Sequence, residues 1–227
     1  MIALKKIWKN EYFKTVIAII LIVAIVLGFF FGLQLALNTS TPMRTVESGS
    51  MYIPYQNANL WTSLTHPFYR TFNIGDIIII QGVDPKTLNT NYPNSDIIVF
   101  RDPLDPNSVP IVHRIYKTEV VNGTIYFITK GDGNGNPWPQ TPTSGLDPWD
   151  YNNPPGVPQN LVIGKVVMRV PWFGWIALGM QQSRWGLPVI IGLILMLVVL
   201  EFIIPILREK KKPEQQKTPL PPSQMSL

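Results

Sequence analysis

The chain has 227 residues, of which 46% are hydrophobic and only 15% are charged, and its formal net charge is +5. It contains no cysteine, which excludes disulfides, thiolate metal sites and a cysteine nucleophile. Its two histidines, His66 and His113, are too far apart in sequence for a metal-binding motif, so we predict neither a metal nor another cofactor.

The first element is an uncharged apolar segment close to the N-terminus, Val16–Leu37. At about 1.5 Å of rise per residue, a helix of this length reaches roughly 33 Å, which is enough to cross the hydrocarbon core of a bilayer. A cleaved signal peptide is the alternative. The segment is longer than a typical signal-peptide core, however, and no clear small-residue cleavage site follows it. We therefore predict a retained membrane anchor.

The anchor is followed almost at once by the stretch VESGSMYIP, Val46–Pro54, in which two serines flank a glycine. Such a stretch is either a plain linker or the support of a nucleophile held at the membrane surface. A serine hydroxyl is a poor nucleophile until a base accepts its proton. The second interpretation therefore requires a partner elsewhere in the chain.

The central part of the chain is predicted to be β-structure. Its short runs are rich in Ile, Val, Tyr and Phe and are bounded by Gly, Pro, Asn and Asp, which is typical of strands. These runs are Gly75–Val83, Ser95–Pro103, Pro110–Val121, Thr124–Asp132 and Leu161–Val170. The Asn122–Gly123 pair indicates a hairpin between the third and fourth runs. We predict a mainly β domain with a small antiparallel sheet or partly closed barrel.

The segments before and after the last predicted strand differ in composition from the strands. Gly133–Gln159 is dense in Pro, Gly, Asn and Trp, and we expect a long loop there without regular structure. Loops of this length are usually functional or disordered. An aromatic segment comes after the strand, and we expect its Trp172, Phe173 and Trp175 to rest at the level of lipid headgroups.

A second apolar segment, Trp185–Leu207, contains a single charge, Glu201, which needs a partner or a place near the interface. A helix buried within the β-domain is the alternative to a second membrane span. Basic residues are in excess on both tails, whereas the region between the apolar segments is balanced in charge. The positive-inside rule therefore places both termini in the cytoplasm. The basic character reflects these membrane flanks and does not predict nucleic-acid binding.

The chain is thus predicted to be a multi-pass protein of the cell membrane with five parts. These are a cytoplasmic N-terminus (1–15), an anchor helix (16–37), an extracytoplasmic β-domain (38–184), a second transmembrane helix (185–207) and a basic, disordered cytoplasmic tail (208–227).

Histidine is the commonest general base, because its unperturbed pKa lies near neutrality. His113 lies within a predicted strand, which holds its ring in place, and is favoured over His66, which lies in a predicted loop. Taken alone, a strand histidine is more often structural. A carboxylate is then needed to fix the imidazole tautomer. Asp132 follows the strand predicted to pair with that of His113, while Asp147 and Asp150 lie in the long loop.

Six short motifs occur in a fixed order behind the N-terminal anchor. They are SGSM (48–51), GDIIII (75–80), DIIVFRDP (96–103), VHRI (112–115), KGDGN (130–134) and GKVV (164–167). In this order they resemble the type I signal peptidases, peptidase family S26, over residues 46 to about 170. The bacterial branch carries a lysine at the position of His113, so the chain is similar to the archaeal and endoplasmic-reticulum branch. Two departures are Ser95, where glycine is usual, and one extra residue before Pro54.

The resemblance implies a signal-peptidase-like β fold and a role for each matching position. Ser50 would be the nucleophile and His113 the general base. Asp132 and a later aspartate would complete the catalytic set. For the later aspartate, Asp147 is favoured over Asp150.

Acyl transfer also requires hydrogen-bond donors for the oxyanion. The backbone N–H of Ser50 is the natural donor, and Gly49 allows the backbone to turn closely. The hydroxyl of Ser48 is a further candidate for this oxyanion and substrate-binding group.

The resemblance implies a membrane-bound serine endopeptidase that removes N-terminal signal peptides from exported proteins. It also implies that small residues are read one and three positions before the cut. The predicted partners are signal-peptide-bearing precursors, the lipid bilayer and a translocon. Two alternatives remain: a non-catalytic membrane-anchored β-domain in a surface or secretion complex, and a protease of the same fold that trims pilin-like or other surface precursors.

Overall fold

A computed structural model describes most of the chain. The described residues are 11–53, 72–136, 144–151, 155–182, 188–189, 191–194, 196–197 and 199–200, with the backbone alone at 11–12, 150–151 and 181–182. The chain divides into two compact units, Met1–Leu178 and Gly179–Leu227. The first unit contains the β-domain and every residue of the site described below.

Helix α1 spans Glu11–Ala36 and is apolar on all sides. Its segment Phe13–Ala36 is the one helix among the described residues that is long and apolar enough to cross a membrane, and none of it is buried inside the protein. A helix without a polar face meets lipid more favourably than water. The first predicted span, Val16–Leu37, is therefore matched by the segment Phe13–Ala36, which starts three residues earlier and ends one residue earlier.

The second apolar segment is described only in part. Residues 188–189, 191–194, 196–197 and 199–200 are helical, and Glu201 lies outside the described residues. The second membrane span and the cytoplasmic tail stay predictions.

Seven strands form one antiparallel sheet, which confirms the mainly β fold class. They are β1 (Met43–Thr45), β2 (Ile77–Gln81), β3 (Ile97–Phe100), β4 (Ile111–Val121), β5 (Thr124–Lys130), β6 (Val157–Pro158) and β7 (Val162–Val170). Their order across the sheet is β1-β2-β7-β3-β4-β5-β6. All five predicted strands are present, with trimmed ends. The sequence did not predict β1 and β6, because two or three residues are too short to show an alternating pattern.

The β4–β5 hairpin turns at the predicted pair. Asn122 and Gly123 both have positive φ, 51° and 80°. A two-residue turn of this kind matches the twist of the strands it connects, and Asn-Gly tolerates it best. The turn pairs the strand of His113 with the strand that leads to Asp132.

Strand β3 lies at the centre of the sheet and is buried on both faces. Ile97 and Val99 pack into one hydrophobic cluster, together with Val46 and Met51 from the segment after β1. Ile98 and Phe100 point the other way, into a second hydrophobic cluster. This alternation follows from the two-residue period of a strand. It leaves the sheet with apolar cores on both sides.

The expectation of an irregular loop at Gly133–Gln159 was wrong in part. The described residues include a 3-10 helix at Pro148–Tyr151 and the short strand β6. Trp149 is 4% exposed and packs in the second cluster, and its carbonyl accepts a hydrogen bond from Gly156. A buried tryptophan supplies the apolar area that orders this part of a polar, proline-rich segment.

The sheet is joined closely to the end of α1. The N–H of Gly82, directly after β2, donates to the carbonyl of Leu37 over 2.8 Å. A Cβ atom at Gly82 would lie 2.0 Å from the carbonyl oxygen of Asn38. Only glycine therefore permits this contact between the helix end and the sheet.

We expect Gly82→Ala to destabilise the protein by about 1–3 kcal/mol, because the new methyl group forces the backbone apart. Thermal unfolding of the detergent-solubilised chain would measure this. Gly32→Ala, in α1, is the matched control, since a Cβ there meets nothing within 4 Å. Equal melting temperatures for the two variants would contradict a tight joint at Gly82.

Candidate active site

Ser50 lies on a turn that is held by the core. The N–H of Tyr52 donates to the carbonyl of Gly49 over 2.9 Å, which closes the turn around Ser50. Val46 and Met51, on either side, are buried in the first hydrophobic cluster. Ser50 itself is only partly buried. The stretch VESGSMYIP is thus a folded part of the domain as far as Ile53, beyond which it lies outside the described residues.

His113 lies on β4 opposite Ile98 of the central strand. Its ring is 6% exposed and meets Phe100 edge to face, with centroids 6.4 Å apart. The Nε2 atom is 3.0 Å from the hydroxyl oxygen of Ser50, and Nδ1 is 2.7 Å from Oδ2 of Asp147. With the proton on Nδ1, the ring donates to the carboxylate and leaves Nε2 free to accept from the serine.

The carboxylate of Asp147 is held by strand β5. Leu146 forms a β-bridge with Lys130, and the N–H of Asp147 donates to the carbonyl of Thr129. The hydroxyl of Thr129 also donates to Oδ2 of Asp147 over 2.6 Å. Trp149 in turn donates from Nε1 to the Thr129 hydroxyl over 3.3 Å. This chain of buried hydrogen bonds fixes the carboxylate that orients the imidazole.

The structure shows which of the candidate aspartates contacts His113. Asp147 meets the ring of His113, whereas the side chain of Asp150, in the 3-10 helix, lies outside the described positions. His66 also lies outside the described residues. Asp132 is buried but its carboxylate faces Arg114 and not His113.

Arg114 and Asp132 form a fully buried ion pair. Nε and Nη2 of Arg114 donate to the two carboxylate oxygens of Asp132 over 2.7 and 2.8 Å. Nη1 donates to the carbonyl of Ser95 over 2.8 Å. Consecutive strand residues point to opposite faces, so Arg114 points away from the face of His113. Asp132 therefore connects the turn after β5 to β4 and does not contact the imidazole.

The turn after β5 presses directly on the backbone of Ser50. The N–H of Gly133 donates to the carbonyl of Ser50 over 2.8 Å. A Cβ atom at Gly131 would lie 2.5 Å from this same carbonyl oxygen, and one at Gly133 would lie 2.2 Å from that of Tyr52. The glycines of KGDGN thus permit the close approach that places the serine.

Lys130 stabilises this turn from its buried side. Its buried ammonium group donates to the carbonyls of Gly131 and Asn134. Burial lowers the pKa of Lys130, and the carboxylates of Asp132 and Asp147 oppose that shift. Burial also raises the pKa of Tyr92 to about 12, with the charge of Asp132 acting in the same direction.

A groove opens beside Ser50 and His113. Its volume is about 390 Å³. Most of its lining surface is apolar. The lining residues are Arg44, Thr45, Val46, Glu47, Ser48, Ser50, Met51, Phe72, Val109, Pro110, Ile111, Val112 and His113. Such a groove beside a hydroxyl and an imidazole is suited to an extended peptide with small apolar side chains.

No protein-family model matches the chain. Among curated proteins, the signal peptidase complex catalytic subunit SEC11 of Verticillium alfalfae is 23% identical over 170 residues, covering 75% of this chain and 81% of the relative. The Schizophyllum commune SEC11 subunit is 28% identical, covering 71% and 78%. The human subunit SEC11C is 30% identical over 132 residues, covering 58% of this chain and 57% of the relative.

The chain is homologous to signal peptidase catalytic subunits. The resemblance to the endoplasmic-reticulum branch of the type I signal peptidases is thereby confirmed, at identities of 23% to 30% for these relatives. These homologues are named as catalytic subunits, which makes them peptidases.

Sequence reasoning missed three residues around the site of this signal peptidase homologue. Thr129 donates to Asp147, and Arg114 donates to Asp132. Trp149 donates to the Thr129 hydroxyl. A signal existed for the first two, since each is a polar residue beside a buried isoleucine in a predicted strand. Trp149 carried no signal, because tryptophan in a proline-rich loop predicts no particular contact.

We expect Gly133→Ala to shift the Ser50 turn, because the methyl group would overlap the carbonyl of Tyr52. The unfolding temperature should fall and any hydrolytic activity should drop by at least about tenfold, as small misplacements of reacting groups are costly. Gly179→Ala, where a Cβ meets nothing within 4 Å, is the control. Wild-type behaviour of Gly133→Ala would show that the turn does not position Ser50.

Proposed function

We propose that the chain is a signal peptidase catalytic subunit, a serine endopeptidase that removes N-terminal signal peptides from exported precursors. The observation that carries the proposal is the continuous hydrogen-bonded series Ser50–His113–Asp147. Homology to signal peptidase catalytic subunits supports the same conclusion. The groove beside the serine supplies a place for the peptide.

The proposed reaction is acyl transfer. The Ser50 hydroxyl oxygen attacks the scissile carbonyl carbon while Nε2 of His113 accepts its proton. The imidazolium then donates that proton to the leaving amine of the mature protein, and an acyl-enzyme remains. Water, deprotonated by His113, then attacks the ester. The imidazolium returns that proton to the Ser50 oxygen as the ester bond breaks, and the signal peptide leaves with a new carboxylate.

Asp147 supports both proton transfers. As acceptor from Nδ1 it holds the imidazole in the tautomer that accepts at Nε2. It also stabilises the imidazolium by its negative charge. Thr129 holds the carboxylate in this orientation.

Two donors are available for the oxyanion. Within the described part of the chain, the backbone N–H of Ser50 has no hydrogen-bond partner. The hydroxyl of Ser48 lies 3.2 Å from that of Ser50 and can turn toward the scissile carbonyl of a bound substrate. A donor of this kind is worth about 3 kcal/mol in the transition state. A Cβ at Gly49 would meet none of the described atoms within 4 Å, so space for substrate remains there.

We propose that cleavage takes place at the membrane surface. Helix α1 would cross the bilayer, and both termini would lie in the cytoplasm with the β-domain outside. Signal-peptide-bearing precursors would reach the groove from the same bilayer, next to a translocon. A signal peptide's apolar core ends at the depth at which the β-domain begins.

An aromatic turn gives the β-domain a second contact with lipid in this proposal. Trp172, Phe173 and Trp175 are 70%, 64% and 48% exposed at the start of helix α2, Gly174–Gln182. The turn is bound to the sheet, because the N–H of Trp172 donates to Asp76 and that of Gly174 donates to the carbonyl of Gly75. Exposed aromatic rings held this rigidly are favourable at headgroup level.

We expect Ser50→Ala, His113→Ala and Asp147→Asn each to lower cleavage by about three orders of magnitude or more, because members of such a set act together. The assay is cleavage of a membrane-inserted precursor by the full chain, with each variant's unfolding temperature measured in parallel. Cleavage by Ser50→Ala at the wild-type rate would exclude this serine as nucleophile. If the wild type cleaves no signal peptide, a non-catalytic scaffold or a protease for other surface precursors becomes the better proposal.

Asp132 provides the contrast to Asp147. Asp132→Asn should lower the free energy of unfolding by about 3–5 kcal/mol, because it leaves Arg114 buried without a charge partner. The double variant Arg114→Met/Asp132→Leu should regain most of that stability, since apolar residues can replace a buried pair. Asp147→Asn should lose activity while the protein stays folded.

We expect the triple variant Trp172→Ser/Phe173→Ser/Trp175→Ser to cleave a membrane-inserted precursor at least about tenfold more slowly, because it loses apolar area that binds lipid. Cleavage of a short soluble peptide should be unchanged. Leu104→Ser/Val120→Ser, at two equally exposed apolar positions, is the control. A full rate with the inserted precursor would exclude a membrane contact at this turn.

A further inference from the structure

A polar pocket lies next to the substrate groove and outside the proposed catalytic set. Its volume is about 250 Å³. It is lined by Arg44 and Arg101, by the hydroxyl-bearing Ser40, Thr41 and Ser108, and by Asn107, among others. Arg44 and Pro110 also line the substrate groove, so the two cavities adjoin at these residues. We call it the Arg44–Arg101 pocket.

The pocket has positive charge without a matching carboxylate. None of its described lining residues is acidic, and neither guanidinium forms an ion pair or hydrogen bond with the described residues. The carboxylates nearest Arg101 along the chain, those of Asp102 and Asp105, accept backbone N–H groups of their own turns. The carboxylate nearest Arg44, that of Glu47, belongs to a residue that lines the adjoining groove and not this pocket. Two unpaired guanidinium groups at one cavity are suited to an anion, and above all to a phosphate, which accepts several charge-assisted hydrogen bonds.

A buried hydroxyl provides an independent sign of a missing ligand. The Oγ1 atom of Thr41 is buried and has no hydrogen-bond partner within the described structure. Buried polar atoms without partners are rare in folded proteins, and each calls for an explanation. Thr41 lines the pocket, and a rotation of its side chain would let a phosphate oxygen there accept from this hydroxyl.

The position of the pocket identifies the source of the phosphate. The side-chain amide of Gln34, in the last turn of α1, donates to the carbonyl of Ser40 over 2.9 Å. The chain therefore folds back, and the pocket begins at the level of the helix end. The 24-residue apolar part of α1 is about 36 Å long, longer than the roughly 30 Å hydrocarbon core. With α1 across the bilayer as proposed above, its end reaches the layer in which lipid phosphates lie.

We propose that the Arg44–Arg101 pocket binds the phosphate of an anionic phospholipid headgroup. A single water occupies about 30 Å³, so the cavity has room for a phosphate group and the adjoining glycerol carbons. The bound headgroup holds the mouth of the groove at the bilayer surface through Arg44. This site involves neither Ser50 nor His113, so the proposal does not rest on the peptidase function.

The test is native mass spectrometry of the full chain in neutral detergent, titrated with short-chain phosphatidylglycerol and, separately, with phosphatidylcholine. We expect one retained phosphatidylglycerol per chain and weaker retention of the net-neutral lipid. Arg44→Gln and Arg101→Gln should each weaken binding about tenfold, the usual effect of losing one charge-assisted contact. Thr41→Val keeps the shape and charge of the pocket, and it should weaken binding by a smaller factor.

Lys86→Gln is the matched control, because it removes one positive charge from an exposed residue that does not line the pocket. Equal weakening by Lys86→Gln, or full binding by both arginine variants, would overturn the proposal. Displacement of the lipid by soluble glycerol phosphate would support recognition of the phosphate group itself. Binding of free phosphate without any retained phosphatidylglycerol would overturn the lipid source.

The variants also separate this proposal from the peptidase function. The lipid should bind Ser50→Ala as tightly as wild type, whether or not the chain cleaves precursors. Unfolding temperatures of Arg44→Gln and Arg101→Gln should match wild type in lipid-free detergent, and Arg44→Lys should recover part of the binding. A wild-type chain that retains no phosphatidylglycerol would overturn the site even if it cleaves signal peptides.

Discussion

The ion pair between Arg114 and Asp132 connects the parts of the molecule that carry the candidate site. The guanidinium of Arg114 is fully buried and donates to Asp132 and to the carbonyl of Ser95. Burying both charges is costly unless their geometry is satisfied, and removing one partner leaves the other uncompensated. The pair therefore forces the turn after β5 into one position against β4. Within that turn, the N–H of Gly133 donates to the carbonyl of Ser50.

The two faces of β4 thus perform different tasks next to each other. His113 points to the face of Phe100, Thr129 and Asp147, where proton transfer is proposed. Arg114 points to the other face, where it positions the turn that carries Gly133. Neighbouring residues of a strand point in opposite directions. The adjacent residues His113 and Arg114 can therefore have different roles, the first in proton transfer and the second in positioning the turn. The two aspartates are divided in the same way, Asp147 to the histidine and Asp132 to the arginine.

The sequence predicted the fold class and the central strands because their apolar runs are strong and bounded by turn residues. It also named Ser50, His113 and Asp147, and in the structure His113 lies within hydrogen-bond distance of both Ser50 and Asp147. It did not separate the roles of Asp132 and Asp147, since proximity along a hairpin does not reveal which face a side chain meets. Residues such as Thr129 escape prediction for a related reason: their importance lies in a contact across the sheet, and a single sequence records no pairing register.

The position of Ser50 relative to the end of α1 follows from the sheet and not from a flexible linker. The end of α1 meets Gly82 after β2, and β1 pairs with β2 before the chain reaches Val46. The aromatic turn touches the same edge, because Gly174 packs against Thr45 and Gly75. Three contacts on two neighbouring strands thus set the height of the serine above the helix end. With α1 in the bilayer as proposed, a rigid edge of this kind keeps the groove at the depth at which an inserted substrate leaves the hydrocarbon core.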